Sequence, residues 1–266
     1  KLKNHSRAMR PKDLYLTSFY KIYANFLNER RGKEVSLIVS RLQSVFEEVA
    51  KKLDNWHYES AKSALNILHA VYFDWLKGGN RLFILSKSHS SLALYSVFIE
   101  LGYISFADLD KFAKPDSNLQ SHPEGKSFPT IMVSTGSLGQ ALSIAAGISF
   151  AKRIDKENVE IAVLMGDGEL NEGQVWESIA TISHNKLNNI IAIVDRNGIQ
   201  LSGETDKIKN LNNIEKKFEA FGWFTLTCDG SSIYEISKCL NTCSLITDRP
   251  KAVICDTSML LKKGVM

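Results

Sequence analysis

With 266 residues, 44% of them hydrophobic and 23% charged, the chain has the composition of a soluble globular protein and enough length for a sizeable core. Its 33 basic and 29 acidic residues leave a formal charge of +4, too small and too mixed to indicate nucleic acid as a partner. No apolar run reaches the ~18 residues of a membrane span and no secretory leader is legible, so the expected compartment is the cytoplasm.

Residues 1–33 are basic and aromatic, and the run DLYLTSFYKIYANFL carries its apolar positions on a helical stripe. It reads as a helical arm packed on the remainder, 34–266, or on a partner. Leucines, valines and Phe46 recur at helical spacing from Val35 to Leu53. A polar loop, Asn55 to Ser60, leads into an apolar helix from about Ala61 to Trp75. Arg81 to Leu85 is a short buried strand, followed by a loop containing His89 and a further helix. A short helix at about Ala107 to Phe112 precedes the loop NLQSHPEG. In STGSLGQ, Gly136 and Gly139 permit a tight turn into a thin helix of small residues, Ala141 to Ala146.

The stretch Val163 to Gln200 reads as one β-α-β unit. Its helix, Gly173 to His184, is expected to turn Val175, Trp176, Ile179, Ala180 and Ser183 inward. LSGETDKI then reads as a polar loop, a helix ends at Phe218 to Gly222, and WFTLTCDG and KAVICDT are strands on either side of a helix at Tyr234 to Leu245. This alternation predicts an α/β fold, doubly wound, with a mostly parallel sheet and helices on both faces. The cysteines at 228, 239, 243 and 255 form no CxxC pair. Cys239 and Cys243, four apart on a helix, read as buried reduced thiols rather than zinc ligands.

In a β-α-β unit both strands point their carboxyl ends at one edge of the sheet, which makes Asp167 and Asn197 neighbours. A carboxylate and an amide oxygen suit a hard cation that keeps positions free for phosphate oxygens and water, and magnesium fits best. Gly166 and Gly168 let the backbone approach a bulky anion, and the following helix aims free amides at negative charge. A diphosphate is the natural guest.

GDGELNEGQVWE followed by KLNNIIAIVDRNGIQ resembles the thiamine diphosphate fingerprint. More narrowly, it is similar to the amino-terminal half of transketolases, especially the smaller subunit of two-subunit transketolases. The resemblance spans about Asn55 to Val265. It implies thiamine diphosphate with Mg2+, the metal held by Asp167, Asn197 and the Ile199 carbonyl, and the cofactor bound also by Gly166, Gly168 and Glu169. STGSLGQ resembles the family turn that touches thiamine, which implies contacts from Gly136 and Leu138. His89 matches the histidine of the family's Ser-Lys-Gly-His loop, with Ser88 in place of glycine, and would hydrogen-bond phosphate or a substrate hydroxyl. His57 and His122 match two further family histidines, and the three together would handle hydroxyl protons. Glu172 resembles a glutamate at the dimer interface near the cofactor. Trp56 stands where the family has glycine, and Tyr58 and Glu59 fill small positions, so the substrate side is expected to be narrowed. The ending TSMLLKKGVM departs from the family's basic or histidine-bearing loop, with Leu260 and Leu261 in its place.

The activity implied is that of a transferase moving a two-carbon ketol unit from a ketose to an aldose in ping-pong order. In transketolases a glutamate on a separate pyrimidine-binding domain activates the cofactor, and no such domain is legible here. The resemblance therefore implies a half-enzyme that works with a carboxyl-terminal transketolase-like subunit carrying that glutamate, in an α2β2 heterotetramer. Two alternatives stand beside it: a decarboxylating acyl or ketol transferase using a 2-oxo acid such as pyruvate, and a catalytically silent regulatory subunit.

Overall fold

A computed structural model describes residues 32–262, with side chains from 39 to 261; the expected arm at 1–33 and the end of the chain thus fall almost wholly outside the described residues. Helix α1 (Gly32–Lys52) is followed by α2 (Tyr58–Phe73), strand β1 (Arg81–Leu85), α3 (Ser91–Glu100) and α4 (Ala141–Ile154). Then come β2 (Glu160–Gly166), α5 (Gly173–His184), β3 (Ile190–Arg196), a hairpin of β4 (Ile199–Gln200) and β5 (Gly203–Glu204), and α6 (Thr205–Lys209). The chain closes with α7 (Ile214–Ala220), β6 (Phe224–Asp229), α8 (Ile233–Ser244), β7 (Lys251–Asp256) and α9 (Ser258–Lys262).

The sheet runs β1-β2-β3-β7-β6, and every pair in it is parallel. Strands such as IAVLM and IIAIV are apolar at every position because both faces are covered, and alternate residues feed two separate cores. Ala162, Leu164, Ile191, Ile193, Val253 and Cys255 join one core with residues of α1, α2, α3 and α8. Ile161, Val163, Met165, Ala192, Val194 and Ile254 join the other with α4, α5 and α7. This is the doubly wound architecture expected from the alternation of strand and helix.

Three local expectations change. On α5 the buried residues are Val175, Ser178, Ile179 and Ile182. Trp176, Ala180 and Ser183 lie half-buried on the flank, where the Trp176 indole donates to the Leu170 carbonyl at 2.7 Å and packs on Phe218. The polar stretch after Gln200 is structured, as the β4-β5 hairpin and α6. Residues 112–140 contain no helix or strand, an unusually long irregular segment of the kind that functional loops form. It is pinned at its end, where Thr135 Oγ1 donates to the Leu85 carbonyl at 2.6 Å. The cysteines are free, Cys228, Cys243 and Cys255 buried and Cys239 half-buried. Among the described residues no helix is long and apolar enough to cross a membrane.

Candidate active site

Parallel pairing brings the carboxyl ends of β1, β2, β3 and β7 to one edge, and the polar residues that follow each strand collect there. Asp167 follows β2, is 3% exposed, and joins two strand ends through its carboxylate. Its Oδ1 accepts the Gly168 amide and its Oδ2 the Gly198 amide, both at 2.8 Å. Burial, reinforced by the nearby Asp195 carboxylate, pushes Asp167 up to about 6 against the opposing pull of those amides and of Lys87. Asn197, also buried, accepts the Ile199 amide on Oδ1 at 2.9 Å and donates from Nδ2 to Ser63 Oγ at 3.1 Å. Each carboxylate oxygen of Asp167 keeps a lone pair beyond its single bond. A side chain at Gly166 would meet nothing within 4 Å, so open space lies before it, whereas one at Gly168 would sit 2.8 Å from the Gln200 Cβ. Among the described residues no three His, Cys, Asp or Glu side chains form a metal cluster, so a cation here would rest on one carboxylate, an amide and backbone.

Glu169 turns inward. Its carboxylate accepts the Ser86 hydroxyl, the Gly139 amide at 2.8 Å and the Gly166 amide at 3.3 Å, and burial raises its pKa. With Oε1 taking two donors and Oε2 one, Glu169 ties together the end of β1, the Gly136–Gly139 turn and the end of β2. That turn requires its glycines: Gly139 has φ +84°, and a Cβ there would stand 2.9 Å from that of Glu172. Leu138 is 37% exposed on the same turn, and the Glu172 side chain is exposed beside it.

The three histidines converge from separate elements. His57 precedes α2 in a left-handed conformation, φ 45°, after Asp54 and Asn55 with φ 50° and 53°. Such residues tolerate this region better than most, and the reversal brings Trp56 and His57 to the edge of the sheet. The His57 and His89 rings lie 5.3 Å apart, and Trp56 stands edge-on to His57 at 4.8 Å and to His122 at 6.4 Å. Burial, then the neighbouring Lys87, hold His89 down to about 3; burial and His57 lower His122. His89 is therefore neutral at pH 7, one ring nitrogen donating and the other accepting. Of the bulky residues expected to narrow this side, Trp56 stands against the histidines and Glu59 is exposed. Tyr58 points away, its hydroxyl donating to Glu47 at 2.6 Å and its ring packing on Phe46.

One buried group went unnoticed in the sequence. Lys87, after β1, pairs with Asp195 at the end of β3, and Ser63 and Thr257 donate to the same carboxylate. Only the charged character of two strand-end residues hinted at it, because 108 positions separate them.

A strand-edge cradle with room beside a glycine, a buried carboxylate and amide, and adjacent histidines marks this α/β protein as one with its polar site at the carboxyl edge of a parallel sheet. The family described as transketolase, thiamine diphosphate binding domain, matches residues 70–261, and the chain belongs to that family. It is 33% identical over 219 residues to a Phocaeicola vulgatus protein named as one of the subunits of apulose-4-phosphate transketolase, covering 79% of this chain and 78% of that protein. It is 36% identical over 210 residues to human transketolase, covering 76% of this chain and 33% of the human protein. The chain thus spans about a third of such full-length relatives. The transketolase structure from Campylobacter jejuni superposes with a TM-score of 0.62 at 28% identity, over 80% of this chain and 37% of that one.

Proposed function

We propose that this chain is the diphosphate-binding subunit of a two-subunit transketolase, residues 34–266 forming the cofactor domain. The observation that carries the reading is the buried Asp167 carboxylate, bridging Gly168 and Gly198 beside Asn197, with open space in front of Gly166. Hard oxygen donors with free lone pairs suit magnesium, and the space suits a diphosphate on that ion. Asp167, Asn197 and the Ile199 carbonyl would hold the metal. Gly136, Leu138, Gly166, Gly168 and His89 would contact the cofactor, with Glu169 holding their loops in place. Bound thiamine diphosphate supplies the nucleophilic carbon that accepts and hands on a two-carbon ketol unit.

The chain's own residues orient the sugar. Neutral His89 and the adjacent His57 and His122 would donate to and accept from substrate hydroxyls, moving protons as the ketol unit is released or captured. Glu172, exposed at the start of α5, would face a carboxyl-terminal partner subunit that supplies the activating glutamate. Similarity to a relative whose own name makes it one part of a divided transketolase supports such a partner, and an α2β2 heterotetramer in the cytoplasm is the assembly proposed. The substrates would be sugars or sugar phosphates. Co-expression with a chain resembling the carboxyl-terminal part of transketolase should yield ketol transfer dependent on thiamine diphosphate and magnesium. Robust turnover by this chain alone would overturn the two-subunit reading.

Trp56 favours a second reading, in which the pocket takes a smaller donor such as pyruvate and releases carbon dioxide. Its ring closes against His57 and His122, where a long sugar chain needs room. Carbon dioxide release by the reconstituted pair separates the two.

A further inference from the structure

The Lys87–Asp195 pair lies behind the cation ligands and touches neither cofactor nor substrate in the reading above. Lys87 is 1% exposed and Asp195 fully buried. Asp195 stands opposite Gly166 in the β2-β3 register, so its carboxylate and that of Asp167 belong to adjacent strand ends. Two unscreened carboxylates there would attract bare cations and repel a diphosphate, in surroundings where charge is felt strongly. The Lys87 ammonium is placed on Asp195 Oδ2 and donates also to the Ser60 carbonyl at 3.1 Å. The same carboxylate sets an amide. Ser63 has a single hydroxyl proton, and its two acceptors are Asp195 Oδ2 at 2.6 Å and the Ser60 carbonyl at 3.1 Å; the charged, nearer carboxylate takes it, so the Ser63 oxygen can only accept from Asn197 Nδ2. The Asn197 amide is thereby held with its nitrogen inward and its oxygen toward the Ile199 amide and the open edge.

We propose that Lys87 and Asp195 are positioning residues of the cation and diphosphate site, Asp195 orienting Asn197 through Ser63 and Lys87 cancelling Asp195 so that Asp167 alone presents negative charge. This deepens the cofactor reading and rests on it.

The test uses the full chain reconstituted with its carboxyl-terminal partner, with two probes, Mn2+ alone followed by electron paramagnetic resonance, and thiamine diphosphate with Mg2+ followed by calorimetry. Lys87→Gln exposes a second carboxylate and should tighten Mn2+ about tenfold while weakening thiamine diphosphate about tenfold. Asp195→Asn frees the ammonium to turn on Asp167 and should weaken Mn2+ by a similar factor, about tenfold. The double variant, neutral again, should return both affinities to within about threefold of wild type. General loosening would weaken both probes in both variants, and that result, or no change, overturns the proposal. If a single variant does not fold, Ser63→Ala decides. It leaves the ion pair intact and frees the amide, so Mn2+ should bind roughly tenfold more weakly, and unchanged affinity overturns the proposal. Wild-type protein that binds neither probe overturns this proposal and the cofactor reading together. Wild-type binding with unresponsive variants overturns this one alone.

Discussion

The proposed metal side and the proposed substrate side of the site are built by different means. Asp167, Glu169 and Asn197 are buried at strand ends, each held by hydrogen bonds to backbone or side chains whose positions the sheet dictates. His57, His89, His122 and Trp56 come from loops and a helix entry, and they touch through ring edges and faces, with His57 exposed. Hydrogen bonds fix direction as well as distance, whereas ring contacts tolerate sliding. On the proposed reading, the metal side is thus set by the protein's own hydrogen bonds, and the substrate side is the part that a partner chain or a substrate would adjust.

The largest break in this contrast is expected from Asp167→Ala. It removes the proposed charged ligand, so magnesium-dependent binding of thiamine diphosphate should fall by about a hundredfold or more in calorimetry. Circular dichroism should show the fold intact; unchanged affinity would place the metal elsewhere. On the other side, His89→Ala should reduce turnover about a hundredfold in the reconstituted pair while the cofactor Kd stays within about threefold. Wild-type turnover would remove His89 from the proton chemistry.

The raised pKa of Asp167 gives the metal side a pH signature opposite in sign to that of the histidine side, where His89 is held down to about 3. The folded value of Asp167, about 6, lies above the ordinary carboxylate value, so the protonated form is favoured by folding. Stability from this group is present in the metal-free chain below the unfolded value near ~4 and is lost as pH rises through about 6. Cation binding needs the ionised form, so magnesium-dependent affinity should move the opposite way and weaken as pH falls through about 6. Asp167→Asn should remove the falling component near pH 6 from the stability profile, measured by urea unfolding, and leave the rising one from the buried histidines; an unchanged profile would assign the fall to another group. The smallest effect is expected from Leu138→Ala. Its side chain is partly exposed on the glycine turn, and cofactor affinity should drop by only about twofold to fivefold, about 1 kcal/mol at most. A larger loss would mean that this turn contributes more to the metal side than its exposure suggests.

Much of the metal side is legible in the chain alone. GDG at the end of one apolar run and DRNG at the end of the next place Asp167 and Asn197 together, because parallel strands of one β-α-β unit must end at the same edge. Glu169 shows where that reasoning stops. It lies in the same motif and reads as another cofactor contact, and the structure adds that its oxygens take bonds from Ser86, Gly139 and Gly166. The direction of a side chain after a strand end depends on the turn it starts. Tyr58 makes the same point on the substrate side, since its position beside His57 suggested crowding and the turn of α2 carries it to Glu47.

By itself, the sequence determined the doubly wound sheet, the helices on its two faces and the family, since apolar period and local motifs are properties of neighbouring residues. The tertiary structure alone decided the Lys87–Asp195 pair, the orientation of Asn197 through Ser63 and the stand of Trp56 against His122. These contacts join residues far apart in the chain, and only packing the strands and helices together brings their side chains within reach.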